Sequence, residues 1–344
     1  MKNTYQSTSE IGIGVIGYSS AFNMGRRHLT DAAAQGMRPV AVCDLDESRL
    51  AAAREDFPGI NTYTQVPDML ADDDLSMVVI ITPHNTHTQL AHACMDVGKH
   101  VIVEKPFAIT TEECDEMIAA AEGKGLLLTT YHNRHWDGCI LEALEHIRAG
   151  EIGEVVRIEA HTGAYAKPRD WWRTSRSISG GILYDWGVHL LDYSLQILDA
   201  PATEVMGFSH SGYWADQTPW KSDTNEDEAA AVIRFAGGAY IYLRITTIDN
   251  NPKAGQMEIT GTDGAYVFDQ KTWQKYTTQD GERVVEEGTN PERQGHRFYE
   301  NLASYMTGGD ELIITPQWAR RPVHFIDLAV KSALEGRALT PKYE

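Results

Sequence analysis

Cysteine is scarce and scattered. The four residues Cys43, Cys94, Cys114 and Cys139 form no Cys-x-x-Cys pair. That excludes a thiolate zinc site and a disulfide framework, and fits buried thiols in a reducing compartment. Long apolar runs are also missing. The longest obvious one, Met77 to Ile81, is strand-sized, far short of the roughly 18 residues a membrane helix needs. The N-terminal segment MKNTYQSTSE lacks the apolar core of a signal peptide, so a cytoplasmic location is expected. Basic residues are in deficit, with 30 Lys and Arg against 49 Asp and Glu, a net charge of −19. Such a surface repels phosphate backbones and anionic lipid, so neither nucleic acid nor a membrane is an expected partner.

What is present suits two globular domains. The chain has 344 residues, 42% hydrophobic, enough for two cores. Early in the chain, short apolar runs alternate with helical periodicity. Strands are expected at Ile11–Ile16, Met37–Cys43, Met77–Ile81, Val101–Val103 and Leu126–Thr130. Helices are expected at Gly25–Ala34, Glu47–Asp56, Thr88–Val97 and Glu112–Glu122, the last opened by the capping-box spacing Thr110-x-x-Glu113. Almost wholly apolar strands separated by helices imply a parallel sheet covered on both faces. After about residue 150 the strands Val155–His161, Glu204–Ser209, Ala230–Phe235, Ala239–Thr247, Gln256–Thr260 and Ala265–Phe268 follow one another, some joined by Gly-containing turns. That pattern predicts a mostly antiparallel sheet. Helices at Arg293–Met306 and Gln317–Leu334 close the chain. The expected domains are 1–130 and 131–344, with a soft boundary between Tyr131 and Glu151; the terminal helices are free to pack back on the first domain.

The first strand runs into Gly17-Tyr-Ser-Ser-Ala-Phe-Asn-Met-Gly25 and then a helix. A glycine at a strand end permits a tight turn, and small residues beside it let the backbone approach a pyrophosphate on the helix N-terminus. Gly17, Ser19, Ser20, Phe22, Asn23 and Met24 are therefore candidate cofactor contacts. Ser19 stands where a second glycine is usual, and the loop is longer than the common Gly-x-Gly-x-x-Gly form. Asp44 ends the second strand, placed to accept hydrogen bonds from a ribose. Its charge repels a 2′-phosphate and Leu45-Asp46-Glu47 follow with no arginine, so NAD is favoured over NADP; the plainer reading is that Asp44 caps a turn. Thr82, Pro83, Asn85 and His87 follow the next strand, where a doubly wound sheet binds ligands. His84, His87 and His92 lack a carboxylate or cysteine to complete a ligand pattern, so no metal is expected.

The following strand ends in Glu104-Lys105-Pro106, near the nicotinamide end of such a cofactor, where the Lys105 ammonium can hold a reacting oxygen. Gly180-Gly-Ile-Leu-Tyr-Asp185-Trp-Gly-Val-His189-Leu-Leu-Asp192 places Asp185 and His189 one turn apart if Leu183–Leu198 is helical, with Asp192 able to orient the imidazole. Histidine suits proton removal from a secondary alcohol near neutral pH. A His–Asp pair at this spacing is also common in purely structural helices.

These stretches resemble the glucose–fructose oxidoreductase, inositol dehydrogenase and MocA family. The resemblance spans nearly the whole chain and is carried by the loop around Gly17, Thr82-Pro83 with His87, Gly98 through Glu104-Lys105-Pro106, and Gly180-Gly181 through Asp185, His189 and Asp192; the glycine loop departs from the family pattern. It implies an α/β protein: an N-terminal Rossmann domain with a doubly wound parallel sheet, and a C-terminal α/β domain with a large, mostly antiparallel, open-faced sheet. It also implies Lys105, Asp185 and His189 as the catalytic set, and oligomer contacts through the open sheet, hence a homodimer or homotetramer.

Six of the eight tryptophans fall within residues 131–220. With Tyr165 they suit a wall for the C–H face of a sugar or cyclitol, although filling the core is the plainer use of most of them. Trp171, Trp172 and Arg173 are the first candidates for substrate contact. The expected activity is NAD-dependent hydride transfer at a secondary alcohol or ketone carbon of a sugar-like small molecule. The alternatives are a catalytically silent nucleotide or sugar sensor of the same fold, and a reductase of C=N or tetrapyrrole substrates.

Overall fold

A computed structural model of the chain describes residues 5–18, 23–253 and 255–343. It divides into two units, residues 1–132 with 296–320 and residues 133–295 with 321–344.

In the first unit six parallel strands form a sheet of order β3-β2-β1-β4-β5-β6. They are β1 (Gly12–Ile16), β2 (Arg38–Cys43), β3 (Asn61–Tyr63), β4 (Met77–Ile80), β5 (His100–Val103) and β6 (Leu128–Thr130). Every residue of β1, β4 and β5 is buried, as a strand covered on both faces requires. The covering helices include α1 (Met24–Ala34), α2 (Glu47–Asp56), α3 (Val66–Leu70), α4 (His87–Asp96) and α5 (Thr111–Lys124). The capping box forms as spaced in the sequence: Thr110 Oγ1 accepts from Glu113 N at 3.2 Å, and Glu113 Oε2 accepts from Thr110 N at 3.0 Å. This strand order reverses direction between β1 and β4, and the carboxyl ends beside that reversal form the crevice where such sheets bind ligands.

The second unit holds helix α6 (Gly138–Arg148), a short turn of helix α7 (Arg176–Ser179), helix α8 (Leu183–Ile197) and an eight-stranded sheet of order β14-β13-β12-β11-β7-β10-β9-β8. The strands are β7 (Val155–Gly163), β8 (Ala202–His210), β9 (Glu228–Phe235), β10 (Tyr240–Thr246), β11 (Met257–Gly261), β12 (Gly264–Phe268), β13 (Thr272–Gln279) and β14 (Glu282–Thr289). Among the described residues, only the β7–β10 pair of this sheet is parallel. Alternation decides the faces: Ile158, Ala160, Ile241 and Leu243 are buried on the side covered by α8. Arg157, Glu159, Arg244 and Glu258 stand on the other side, tied by ion pairs such as Arg157–Glu159 at 3.2 Å.

Two helices close the chain, α9 (Arg297–Met306) in the first unit and α10 (Pro316–Glu335), within which the division between the units falls. The strand pair β13–β14 was not expected. It carries little apolar alternation because β14 is exposed along most of its length.

Candidate functional site

In the first unit the residues singled out at strand ends converge on the carboxyl edge of the sheet. Gly17 leaves β1 at φ +90° with its N–H on Cys43 O at 2.8 Å; a Cβ there would stand 2.3 Å from Ile81 O, so only glycine fits. Gly25 N donates to Tyr18 O at 3.0 Å and draws the start of α1 onto the loop. Asn23 caps α1 in the left-handed region and Met24 is its first residue, beside backbone N–H groups suited to an anion. Ser19, Ser20 and Phe22 lie outside the described residues.

Asp44 is buried and bridges two turns. Its Oδ2 accepts from Tyr18 N at 2.9 Å and its Oδ1 from Asp46 N at 3.0 Å, so the turn-capping role is real. Arg49 Nη1 also donates to Oδ2 at 3.5 Å; a carboxylate has about four acceptor positions, which leaves room for about one ribose hydroxyl. Arg49, five residues on, stands 3.5 Å from Asp44 and 3.6 Å from Asp46.

After β4, Thr82 Oγ1 and Thr86 Oγ1 are 2.7 Å apart, and Thr86 also donates to Pro83 O. Asn85 sits in the short turn of helix that follows Pro83. His87 is wholly buried, with Nδ1 2.9 Å from Pro106 O and Nε2 3.0 Å from Thr82 O. It therefore ties the end of β4 to the Glu104-Lys105-Pro106 segment.

Glu104 follows β5 and is held from two sides. Its Oε2 accepts the Lys105 backbone N–H at 3.0 Å, and its Oε1 stands 3.1 Å from His28 Nε2. Burial opposes its charge, but the His28 bond and the nearby Lys105 outweigh that and hold the carboxyl below the usual range. His28 was missed as a site residue. Its position was readable, since Gly25, His28, Leu29 and Ala32 form the buried face of α1 at helical spacing.

In the second unit, α8 carries Asp185 and His189 on one face, one turn apart, as the spacing required. Asp185 is half-exposed and accepts from Arg173 Nη1 at 3.2 Å. The Arg173 guanidinium lies 4.6 Å from the Trp172 ring centroid and 5.5 Å from that of Trp171. His189 is buried, edge-on to Trp186 at 5.8 Å, and Arg134 covers the same indole at 4.6 Å. Asp192, expected to orient His189, has its carboxylate 3.1 Å from His135 Nδ1 and 3.3 Å from Gln196 Nε2. Gly181, at φ +132°, lies against a carboxylate: its Cβ would be 2.9 Å from Glu226 Oε2, which accepts Ile182 N at 3.0 Å. Tyr165 is half-exposed and shares a hydroxyl hydrogen bond with Tyr213, whereas Trp136 and Trp214 are buried as core.

Comparison with known proteins bears on this arrangement. Residues 11–132 match the model of the oxidoreductase family with an NAD-binding Rossmann fold, and residues 140–267 match the C-terminal domain of the same family. The chain belongs to the GFO/IDH/MocA oxidoreductase family. An uncharacterised oxidoreductase of Schizosaccharomyces pombe is 38% identical over 151 residues, 43% of this chain and 41% of that protein. The chain thus spans less than half the length of that relative. The scyllo-inositol 2-dehydrogenase (NADP(+)) of Bacillus subtilis is 25% identical over 96% of this chain and 95% of its own. The myo-inositol 2-dehydrogenase of Thermotoga maritima is 29% identical over 79% of this chain and 78% of its own. Among solved structures, an NAD-binding protein from Listeria innocua superimposes with a TM-score of 0.82 at 25% identity, covering 96% of this chain and 97% of that one. These matches agree with the parallel Rossmann-type sheet and the second, mostly antiparallel sheet described above.

Proposed function

We propose that this member of the family is an NAD-dependent dehydrogenase that acts on a secondary hydroxyl, or the corresponding ketone, of a sugar, glycoside or cyclitol. The observation that carries the reading is the Glu104-Lys105 pair at the carboxyl end of β5, in a sheet whose strand order makes that edge a nucleotide crevice. Cyclitol dehydrogenases among the relatives support the substrate class.

The residues fit a dinucleotide. The glycine turn at Gly17 and the start of α1 at Asn23 and Met24 suit the pyrophosphate, and Asp44 keeps an acceptor position for the adenosine ribose. Thr82, Pro83, Asn85, His87, Glu104 and Lys105 continue the same edge toward the nicotinamide end. Asp44 makes NAD the preferred form. The NADP-dependent inositol relative sharpens that choice, and here Asp44 and Asp46 both stand against Arg49, the nearest candidate for a 2′-phosphate.

When bound, the nicotinamide supplies the hydride acceptor or donor. In this reading the Lys105 ammonium holds the substrate oxygen and stabilises the charge that gathers there. His189 takes the hydroxyl proton during oxidation and returns it during reduction. Asp185 tunes the charge of both, while Arg173, Trp171, Trp172 and Tyr165 form the wall for the sugar. The chain works in the cytoplasm as a homodimer or homotetramer.

The test is reduction of NAD with a panel of sugars, glycosides, anhydrosugars and inositols, followed by nicotinamide absorbance, with wild type beside Lys105→Ala and His189→Ala. Turnover on one group that both variants lose by orders of magnitude, with NAD binding kept, supports the reading. Undiminished turnover in the variants overturns the residue roles. Silence of the wild type with NAD binding intact favours a sensor.

A further inference from the structure

A continuous hydrogen-bonded line runs through the first unit from α9 to the backbone of Lys105. Tyr299, fully buried on α9, has its hydroxyl 2.7 Å from His28 Nδ1. His28, fully buried on α1, has Nε2 3.1 Å from Glu104 Oε1, and Glu104 Oε2 accepts the Lys105 N–H at 3.0 Å. The carboxylate has no proton to give, so His28 Nε2–H donates to Glu104, while Nδ1 engages the Tyr299 hydroxyl. Burial pushes the Tyr299 phenol well above its ordinary value, so it keeps its proton. The imidazole is further fixed by the Tyr131 ring, 4.1 Å away by centroids, which itself packs edge-on against Phe298 at 4.9 Å.

We propose that His28 is a positioning residue for the proposed reaction. Its Nε2–H clamps the Glu104 carboxylate, which through the Lys105 backbone amide sets the direction in which the Lys105 side chain leaves the strand end.

A ring nitrogen donor is well suited to this task. An apolar side chain at position 28 would leave the largely buried Glu104 carboxylate without its Nε2 donor. The clamp also separates two functions of one short segment. The Glu104 carboxylate anchors, which leaves the neighbouring Lys105 ammonium for the substrate oxygen. Misplacement of a reacting group by about an ångström costs of order a hundredfold in rate, so a residue that never touches substrate is able to control turnover.

The inference rests on the dehydrogenase reading for its rate measurement alone, and a second measurement is independent of turnover. In His28→Leu, kcat is expected to fall of order a hundredfold with little change in the Kd for NAD. In His28→Gln, whose amide reaches toward Glu104 as a donor, most of the rate returns. The titration of the Glu104 carboxyl is followed by carbon NMR on the full chain labelled at glutamate, the resonance assigned by its loss in Glu104→Gln. It is expected to move to higher pH in His28→Leu and back down in His28→Gln. The other charged or titratable groups around it, Arg27, Asp31, Lys105, Tyr131 and Tyr299, are unchanged in these variants. A folded His28→Leu protein with wild-type kcat and an unmoved Glu104 titration overturns the proposal. If the wild type reduces no NAD with any hydroxylated substrate, the dehydrogenase reading fails, and the Glu104 titration alone decides the clamp. If His28→Leu does not fold, His28→Asn replaces it: its shorter amide keeps a partner for the Tyr299 hydroxyl but falls short of Glu104, and the Glu104 titration must rise for the proposal to stand.

Discussion

Arg173 donates its Nη1–H to Asp185 Oδ1 at 3.2 Å while its guanidinium plane stands over the Trp172 indole. The pair thus couples the aromatic segment Trp171-Trp172 to the first turn of α8, four residues before His189. A planar, delocalised cation makes both contacts at once; a lysine ammonium reaches the carboxylate only by giving up the stacked position. Arg173→Lys is therefore expected to lower kcat/KM by about tenfold, equivalent to roughly 1.4 kcal/mol. Because Asp185 is half-exposed, the unfolding free energy should change by less than about 1 kcal/mol. Steady-state kinetics beside a urea titration check both halves. A large stability loss with unchanged kcat/KM would assign the pair to scaffolding.

The proposed preference for NAD assigns the choice of cofactor to Asp44 through charge and to Arg49 through proximity. With Asp44 in place, the Arg49 guanidinium lies against two carboxylates. Asp44→Ser removes one of them, leaves a hydroxyl to accept from the Tyr18 or Asp46 amide, and frees Arg49 to meet a 2′-phosphate. The ratio of kcat/KM for NAD to that for NADP should fall by tenfold or more, on the order of 1.4 kcal/mol of altered discrimination. The double variant Asp44→Ser, Arg49→Ala should lose the gain for NADP. If the single variant leaves the ratio untouched, Asp44 serves the turn alone.

Burial on both faces made half of this fold legible from sequence. β1, β4 and β5 announce themselves as apolar runs because no residue in them meets water. The edge strands β3 and β14 are short or exposed and carry no such signal; the Asp280-Gly281 dipeptide between β13 and β14 was the readable clue. The site divides in the same way. Asp44, Glu104 and Lys105 are legible because a strand end has a meaning in a parallel sheet, and Asp185 with His189 because one helix fixes their spacing. His28, Tyr299, His135 and Glu226 act through partners 44 to 271 residues distant in the chain, and no local pattern joins them. Asp192 shows the limit well: its carboxylate engages a histidine 57 residues earlier, a pairing that no local spacing signals.

His100 offers a stability switch at the opposite, amino end of β5. It begins β5, is buried, and its Nδ1 accepts the Leu127 backbone N–H at 3.0 Å, joining β5 to the approach of β6. Burial pushes its pKa down to about 4. The unfolded chain binds a proton at this residue near the ordinary value of about 6.5, and the folded chain resists it until about 4. Stability from the neutral ring is thus complete above the unfolded value and declines as pH falls toward the folded one. The loss should reach roughly 2 kcal/mol at about pH 5. His100→Asn keeps an oxygen for the Leu127 amide and removes the titration. Urea unfolding at about pH 7.5 and about pH 5 should therefore show a steeper loss in wild type than in the variant. Parallel losses in the two proteins would mean that other groups carry the acid sensitivity and that His100 is protonated in the fold as readily as outside it.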